Sequence, residues 1–186
     1  MEAFLVSTGI VALAEIGDKT QLLALVLAAR FKKPWPIVFG ILVATVANHA
    51  LAGALGAWVT TVIGPQMLRW ILGASFIAMA VWMLIPDKLD EDDTAKGLPK
   101  MGVFATTVIV FFLAEMGDKT QIATVMLAAR YDAYMSVVAG TTLGMMLANV
   151  PVVWLGSRAM HWVPLRMVHV TSALIFAGLG LAAILI

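Results

Sequence analysis

The sequence predicts an all-α membrane protein of six transmembrane helices, arranged as two inverted three-helix repeats. Three observations carry that expectation. Of 186 residues, 62% are apolar and only 12% charged, whereas a soluble domain carries about 25% charged residues; the mean hydropathy is +0.98. The apolar residues fall in long blocks such as Leu68–Ile85, Met101–Ala114 and Val168–Ile186, and runs of about 18 or more are the transmembrane signature. The second half also repeats the first. Leu13-Ala14-Glu15-Ile16-Gly17-Asp18-Lys19-Thr20-Gln21 returns as Leu113-Ala114-Glu115-Met116-Gly117-Asp118-Lys119-Thr120-Gln121, eight of nine positions identical.

Gly, Pro and charge punctuate the chain. Span 1 covers residues 4–29 and stops at Arg30-Phe31-Lys32-Lys33-Pro34. The start, Met1-Glu2-Ala3-Phe4, lacks the basic region of a signal peptide, so the first span is read as a permanent helix. Span 2 covers 36–59, and Gly64-Pro65 precedes span 3 at 66–86. Spans 4, 5 and 6 occupy 101–129, 134–156 and 166–186. The expected units are a first repeat at 1–86, an acidic linker at 87–100 and a second repeat at 101–186. At about 1.5 Å of rise per residue each span crosses a core of about 30 Å. Trp35, Trp58, Trp70, Trp82, Trp154 and Trp162 fall near span ends, as an interfacial aromatic belt requires.

Ala28-Ala29-Arg30, Gly40, Gly56 and Phe76 also recur, as Ala128-Ala129-Arg130, Gly140, Gly156 and Phe176. An odd number of spans per repeat makes the second enter from the opposite side. Arg30, Lys32, Lys33, Lys88, Lys96, Lys100, Arg158 and Arg166 lie on the side of the central loop, against Arg69 and Arg130 on the other. The positive-inside rule makes the central loop cytoplasmic and both termini external, and a bacterial inner membrane suits the compact length.

Glu15, Asp18, Lys19, Glu115, Asp118 and Lys119 interrupt apolar spans. Each buried Asp or Lys costs about 2.5–3.5 kcal/mol on insertion scales, which makes such residues functional candidates. On continuous helices the i, i+3 spacing puts Glu15 with Asp18, and Glu115 with Asp118, on one face. Inversion then turns the two faces toward a common point. Oxygen-only clusters suit Ca²⁺, Mn²⁺ or Mg²⁺, and the absence of cysteine excludes thiolate sites and disulfides. Thr20, Gln21, Thr120, Gln121, Asn48 and Asn149 are candidate neutral ligands. Gly17 and Gly117 allow close helix approach or a local break, and charged Lys19 and Lys119 balance the acids. Four carboxylates and two ammoniums sum to −2, which one divalent cation or two protons neutralise. A cation/proton antiporter follows, with no bound cofactor.

The doubled Glu-x-Gly-Asp-Lys-Thr-Gln motif, three helices per repeat and the acidic central loop resemble the manganese/calcium exchanger family of bacterial, thylakoid and Golgi membranes. The resemblance covers the whole chain. It implies export of Mn²⁺, and of Ca²⁺, in exchange for protons, with Glu15, Asp18, Glu115 and Asp118 as the metal-site acids.

Blander roles stand beside these. The acids and lysines can pair for folding alone, membrane Asn commonly bonds between helices, and His49, His161 and His169 read as packed or interfacial. Met116 faces Ile16 in the repeat, so gap filling suits it. The Asp87–Asp93 run reads as a solvated loop. A cation channel, an intramembrane enzyme using paired carboxylates and an assembly subunit are the alternatives. Net charge of +1 without a basic patch offers no nucleic-acid surface, and a chain this small is compatible with a homodimer.

Overall fold

The computed structural model describes residues 1–85, 101–156 and 165–185. Several sequence expectations fall outside these: the 87–100 linker with its Asp87–Asp93 run, Arg158, His161 and Trp162. Among the described residues there are eight helices: α1 (Glu2–Glu15), α2 (Lys19–Phe31), α3 (Pro34–Val62), α4 (Pro65–Trp82), α5 (Val103–Glu115), α6 (Lys119–Tyr131), α7 (Tyr134–Leu155) and α8 (Leu165–Leu185). Two expectations are corrected here. Residues 4–29 and 101–129 do not form continuous helices; each is broken at the motif, between Glu15 and Lys19 and between Glu115 and Lys119. The other helices lie within a few residues of their expected bounds.

Three helices, α3, α7 and α8, are long and apolar enough to cross a membrane. Those on either side of each break are 13 or 14 residues long, or about 20 Å each. Prolines at the first turns of α3 and α4 start these helices without wasting a donor.

The surface is inverted relative to a soluble protein. Along α3, Phe39, Val43, Val46, Leu51, Leu55 and Trp58 are exposed, while Thr45, Asn48 and His49 on the opposite face are buried. An apolar outside and polar inside suit a hydrocarbon solvent, where polar groups must find partners within the protein. Trp35 and Trp154 meet edge to face at 5.3 Å and are both exposed, as are Trp58 and Trp70.

The halves pack reciprocally. α1 and α2 lie on α7 of the second half, and α5 and α6 lie on α3 of the first. Small residues permit the approach: a Cβ on Gly40 would sit 2.6 Å from Thr107, and one on its repeat partner Gly140 would sit 2.5 Å from the Phe4 carbonyl. α4 packs on α8, centred on the Phe76–Phe176 pair at 6.2 Å. Beyond each other, α4 and α8 take different partners: α4 lies on α6, and α8 on α1. Reciprocity breaks down there, because strict exchange would pair α4 with α5 or α8 with α2.

Candidate cation site

Each motif builds a turn between two half-length helices. Ile16 has φ −65° and ψ 117° and Gly17 has φ +84°. Met116 has φ −63° and ψ 119° and Gly117 has φ +75°. The Asp18 N–H donates to the Glu15 carbonyl at 3.0 Å, and the Asp118 N–H to the Glu115 carbonyl at 3.1 Å. These are type II turns, which require positive φ at the third position and therefore glycine. The glycines are there to break the helix. Asp18 and Asp118 follow at the N-cap positions of α2 and α6, yet neither side chain caps its helix.

The break also corrects the face argument. Glu15 ends one helix and Asp18 begins the next, so no shared helical face relates them. The acids converge because the halves pack together. Glu15 and Glu115 are wholly buried and Asp18 and Asp118 are 3% exposed. Glu15, Glu115 and Asp118 each offer an oxygen, and the three lie within 4.8 Å of one another. Asp18 lies close enough to act electrostatically on Glu15 but is not one of that group of three.

Neutral residues hold this cluster. The Thr20 hydroxyl donates to Glu15 Oε1, and Thr120 donates to Glu115 Oε2 at 3.0 Å. Asn149 Nδ2 donates to Glu15 Oε1 at 3.2 Å across the halves, and to the Met145 carbonyl at 3.1 Å. The Gln21 and Gln121 oxygens accept from the turn N–H groups of Gly17, at 2.9 Å, and Gly117, at 2.6 Å. Their amide nitrogens reach the other half: Gln21 to the Ala148 carbonyl at 3.0 Å, Gln121 to Asn48 Oδ1 at 3.3 Å. Asn48 in turn donates to the Phe112 carbonyl at 3.0 Å. Asn48 and Asn149 therefore do different jobs: one ties a turn, the other touches a carboxylate.

Lys19 pairs with Asp118 across the halves at 3.3 Å. Lys119 donates to the Ile85 carbonyl at 3.0 Å and lies 5.8 Å from the Trp82 ring. His49 is buried with no hydrogen-bond partner at either ring nitrogen among the described residues. His169 lies against the turn at Gly17, where an added Cβ would be 3.4 Å from its Nε2. Met116 is 55% exposed. Sequence reasoning missed Met145 and the carbonyls of Phe112 and Ala148; backbone acceptors leave no residue-type signal.

At the cluster, Glu15 Oε2, Glu115 Oε1, Asp118 Oδ2 and Asn149 Oδ1 are buried without a hydrogen-bond donor among the described residues. Buried acceptors without a partner are costly, and a cation is the partner that suits them. Oxygens bound to one ion at about 2.4 Å are at most about 4.8 Å apart, and the three carboxylates fall within that limit.

An apolar-surfaced helical bundle with carboxylates from both halves meeting at its centre defines the class: an integral membrane protein with a buried ionic site. The pattern of the divalent cation/proton antiporter GDT1 family matches residues 3–91 and 103–186, and the chain belongs to that family. Membership places it among transporters rather than enzymes. It is 50% identical over 183 residues to a Vibrio cholerae serotype O1 protein named "Putative manganese exporter", covering 98% of this chain and 90% of that one. A GDT1-like protein of Synechocystis is 28% identical over 163 residues, 77% of this chain and 78% of that one. GDT1-like protein 4 of Oryza sativa subsp. indica is 26% identical over 207 aligned positions, covering 98% and 73%. No solved structure matches the chain.

Proposed function

We propose that this protein exports divalent cations from the cytoplasm, Mn²⁺ foremost and Ca²⁺ also, in exchange for protons. The observation that carries the reading is the meeting of Glu15, Glu115 and Asp118 within 4.8 Å, three acids drawn from both halves of the chain. Asp18 completes the charge of the site. The donor set is oxygen alone, which suits hard cations, and the Vibrio relative is named for manganese. When the cation leaves, two protons restore the same charge balance.

In this reading α1 with α2, and α5 with α6, each make one broken span, so that six spans form two inverted repeats at 1–86 and 101–186. The loop at 87–100 and the basic side chains beside it face the cytoplasm, and the membrane is a bacterial inner membrane. Discontinuous helices meeting at the repeat interface are a common way to place a transport site at mid-membrane. α4 and α8 form the moving unit. Packed on α1 and α6, the half-helices on the external side, they close that side, and the buried cation site is loaded from the cytoplasm. Shifting the pair onto α2 and α5 reverses access.

The test is flux in proteoliposomes, with Mn²⁺ and Ca²⁺ measured separately under an imposed pH gradient. Metal movement that drives opposite proton movement, lost in Glu115→Gln, is the expected result. Flux indifferent to the pH gradient would make the protein a channel. No flux under any gradient would end the transport reading.

A further inference from the structure

Away from the cation site, the ends of α4, α6 and α8 enclose a cavity of about 270 Å³, lined by Leu68, Arg69, Leu72, Arg130 and Ala183 among others. Arg69 comes from the first half and Arg130 from the second. The sequence places no other basic side chains on this side of the molecule, and both converge on one cavity. Among the described residues, no acidic side chain lines it. Arg69 Nε is buried without a hydrogen-bond partner among the described residues. Two guanidiniums that line one partly apolar recess with no carboxylate in its lining favour an anion between them. The rest of the lining is aliphatic: Pro65, Leu68, Leu72, Ala129, Ala182 and Ala183. The neighbouring rings, Trp70 at 5.9 Å from Arg69 and Tyr131 at 5.8 Å from Arg130, are of the kind that sits at headgroup depth.

We infer that this cavity binds the phosphate of an anionic membrane phospholipid, with Arg69 and Arg130 clamping the headgroup and Leu68, Leu72 and Ala183 receiving the first acyl carbons. Guanidinium is the side chain best matched to phosphate oxygens. A free phosphate offers the same oxygens, but the aliphatic walls give it nothing, so a lipid is the occupant to which the whole lining fits. A lipid held there ties α4 to α6, the seam that closes one side of the molecule.

The test is native mass spectrometry of the full chain released from detergent, titrated with phosphatidylglycerol, phosphatidylcholine or inorganic phosphate. Phosphatidylglycerol is expected to give a retained adduct, and phosphatidylcholine a weaker one. The double variant Arg69→Gln/Arg130→Gln should lose about ten-fold or more in lipid affinity, about 1.4 kcal/mol, and the Lys double variant should recover part of it. Because changing two arginines can unsettle the helix ends, Ala183→Phe supplies a second reading: it fills the cavity, leaves the charges, and should also expel the lipid. Displacement of the lipid by inorganic phosphate would overturn the assignment in favour of a free-anion site. Lipid retention unchanged in the double Gln variant and in Ala183→Phe would overturn the site itself. The readout is lipid binding, so it fails or succeeds independently of transport.

Discussion

At the scale of single residues, the proposed cation site depends on how its acids are held. Glu15 takes donors from Thr20 within its own motif and from Asn149 of the other half. A hydrogen bond to a charged group is worth about 1.5–3 kcal/mol. Thr20→Val is therefore expected to weaken Mn²⁺ binding about ten-fold while leaving the protein folded, and Thr20→Ser to restore it; isothermal titration of both variants checks this. Glu115→Gln removes a negative charge from the proposed ligand group of three and should lower affinity by more than Thr20→Val does, by about two orders of magnitude, since ligand charge is what tunes such sites. Equal effects of the two substitutions would remove Glu115 from the ligand set. The acids themselves were legible in the sequence, because a carboxylate within an apolar run stands out. Their neighbours were less so: at the repeat's offset of 100, Asn48 stands opposite Ala148 and Asn149 opposite His49, and of the two Asn it is Asn149 that reaches a carboxylate.

At the scale of elements, the defining event is the break in each motif helix. Gly17 and Gly117 share the same positive φ, which costs an L-residue about 1–2 kcal/mol. Their surroundings differ. A Cβ at Gly17 would lie 2.8 Å from Leu165 Cδ2, whereas one at Gly117 meets nothing within 4 Å among the described residues. Both Gly→Ala variants should lower the melting temperature in detergent, Gly17→Ala more, while Gly117→Asn should be milder than Gly117→Ala because Asn tolerates the left-handed region. Identical losses at the two positions would argue against the contact of α8 with the first turn. The helix breaks illustrate what a periodic reading misses. Counting apolar residues carries the helix straight through Ile16 and Met116, since both are apolar. A turn of three residues then resets the phase, so spacing within the motif ceases to report which side chains share a face.

At the scale of the whole molecule, the two halves are reciprocal except where α4 and α8 are concerned. If that pair is the moving unit, tying it down must stop transport. The chain has no cysteine, so Leu72→Cys/Ala129→Cys introduces a single thiol pair across the cavity that both residues line. Bridging the two thiols with a short bismaleimide is expected to abolish exchange without reducing Mn²⁺ binding from the cytoplasmic side. The same double variant left uncrosslinked should transport. Full exchange after complete crosslinking would mean that α4 and α6 stay together through the cycle.

By itself the sequence determined that this is an all-helical chain for a membrane, internally duplicated, with charged groups where lipid forbids them. Composition and repetition decide those matters, because they depend on residue type and order alone. Only the tertiary structure decided that Gly17 and Gly117 break their helices, that Glu15, Glu115 and Asp118 meet within 4.8 Å, and that Lys19 crosses to Asp118. Glycine permits the positive φ of a turn but also sits in continuous helices, so residue type alone leaves the break undecided. The distance between acids a hundred residues apart and the choice of ion-pair partner are set by how the two halves pack together, and no local pattern encodes that packing.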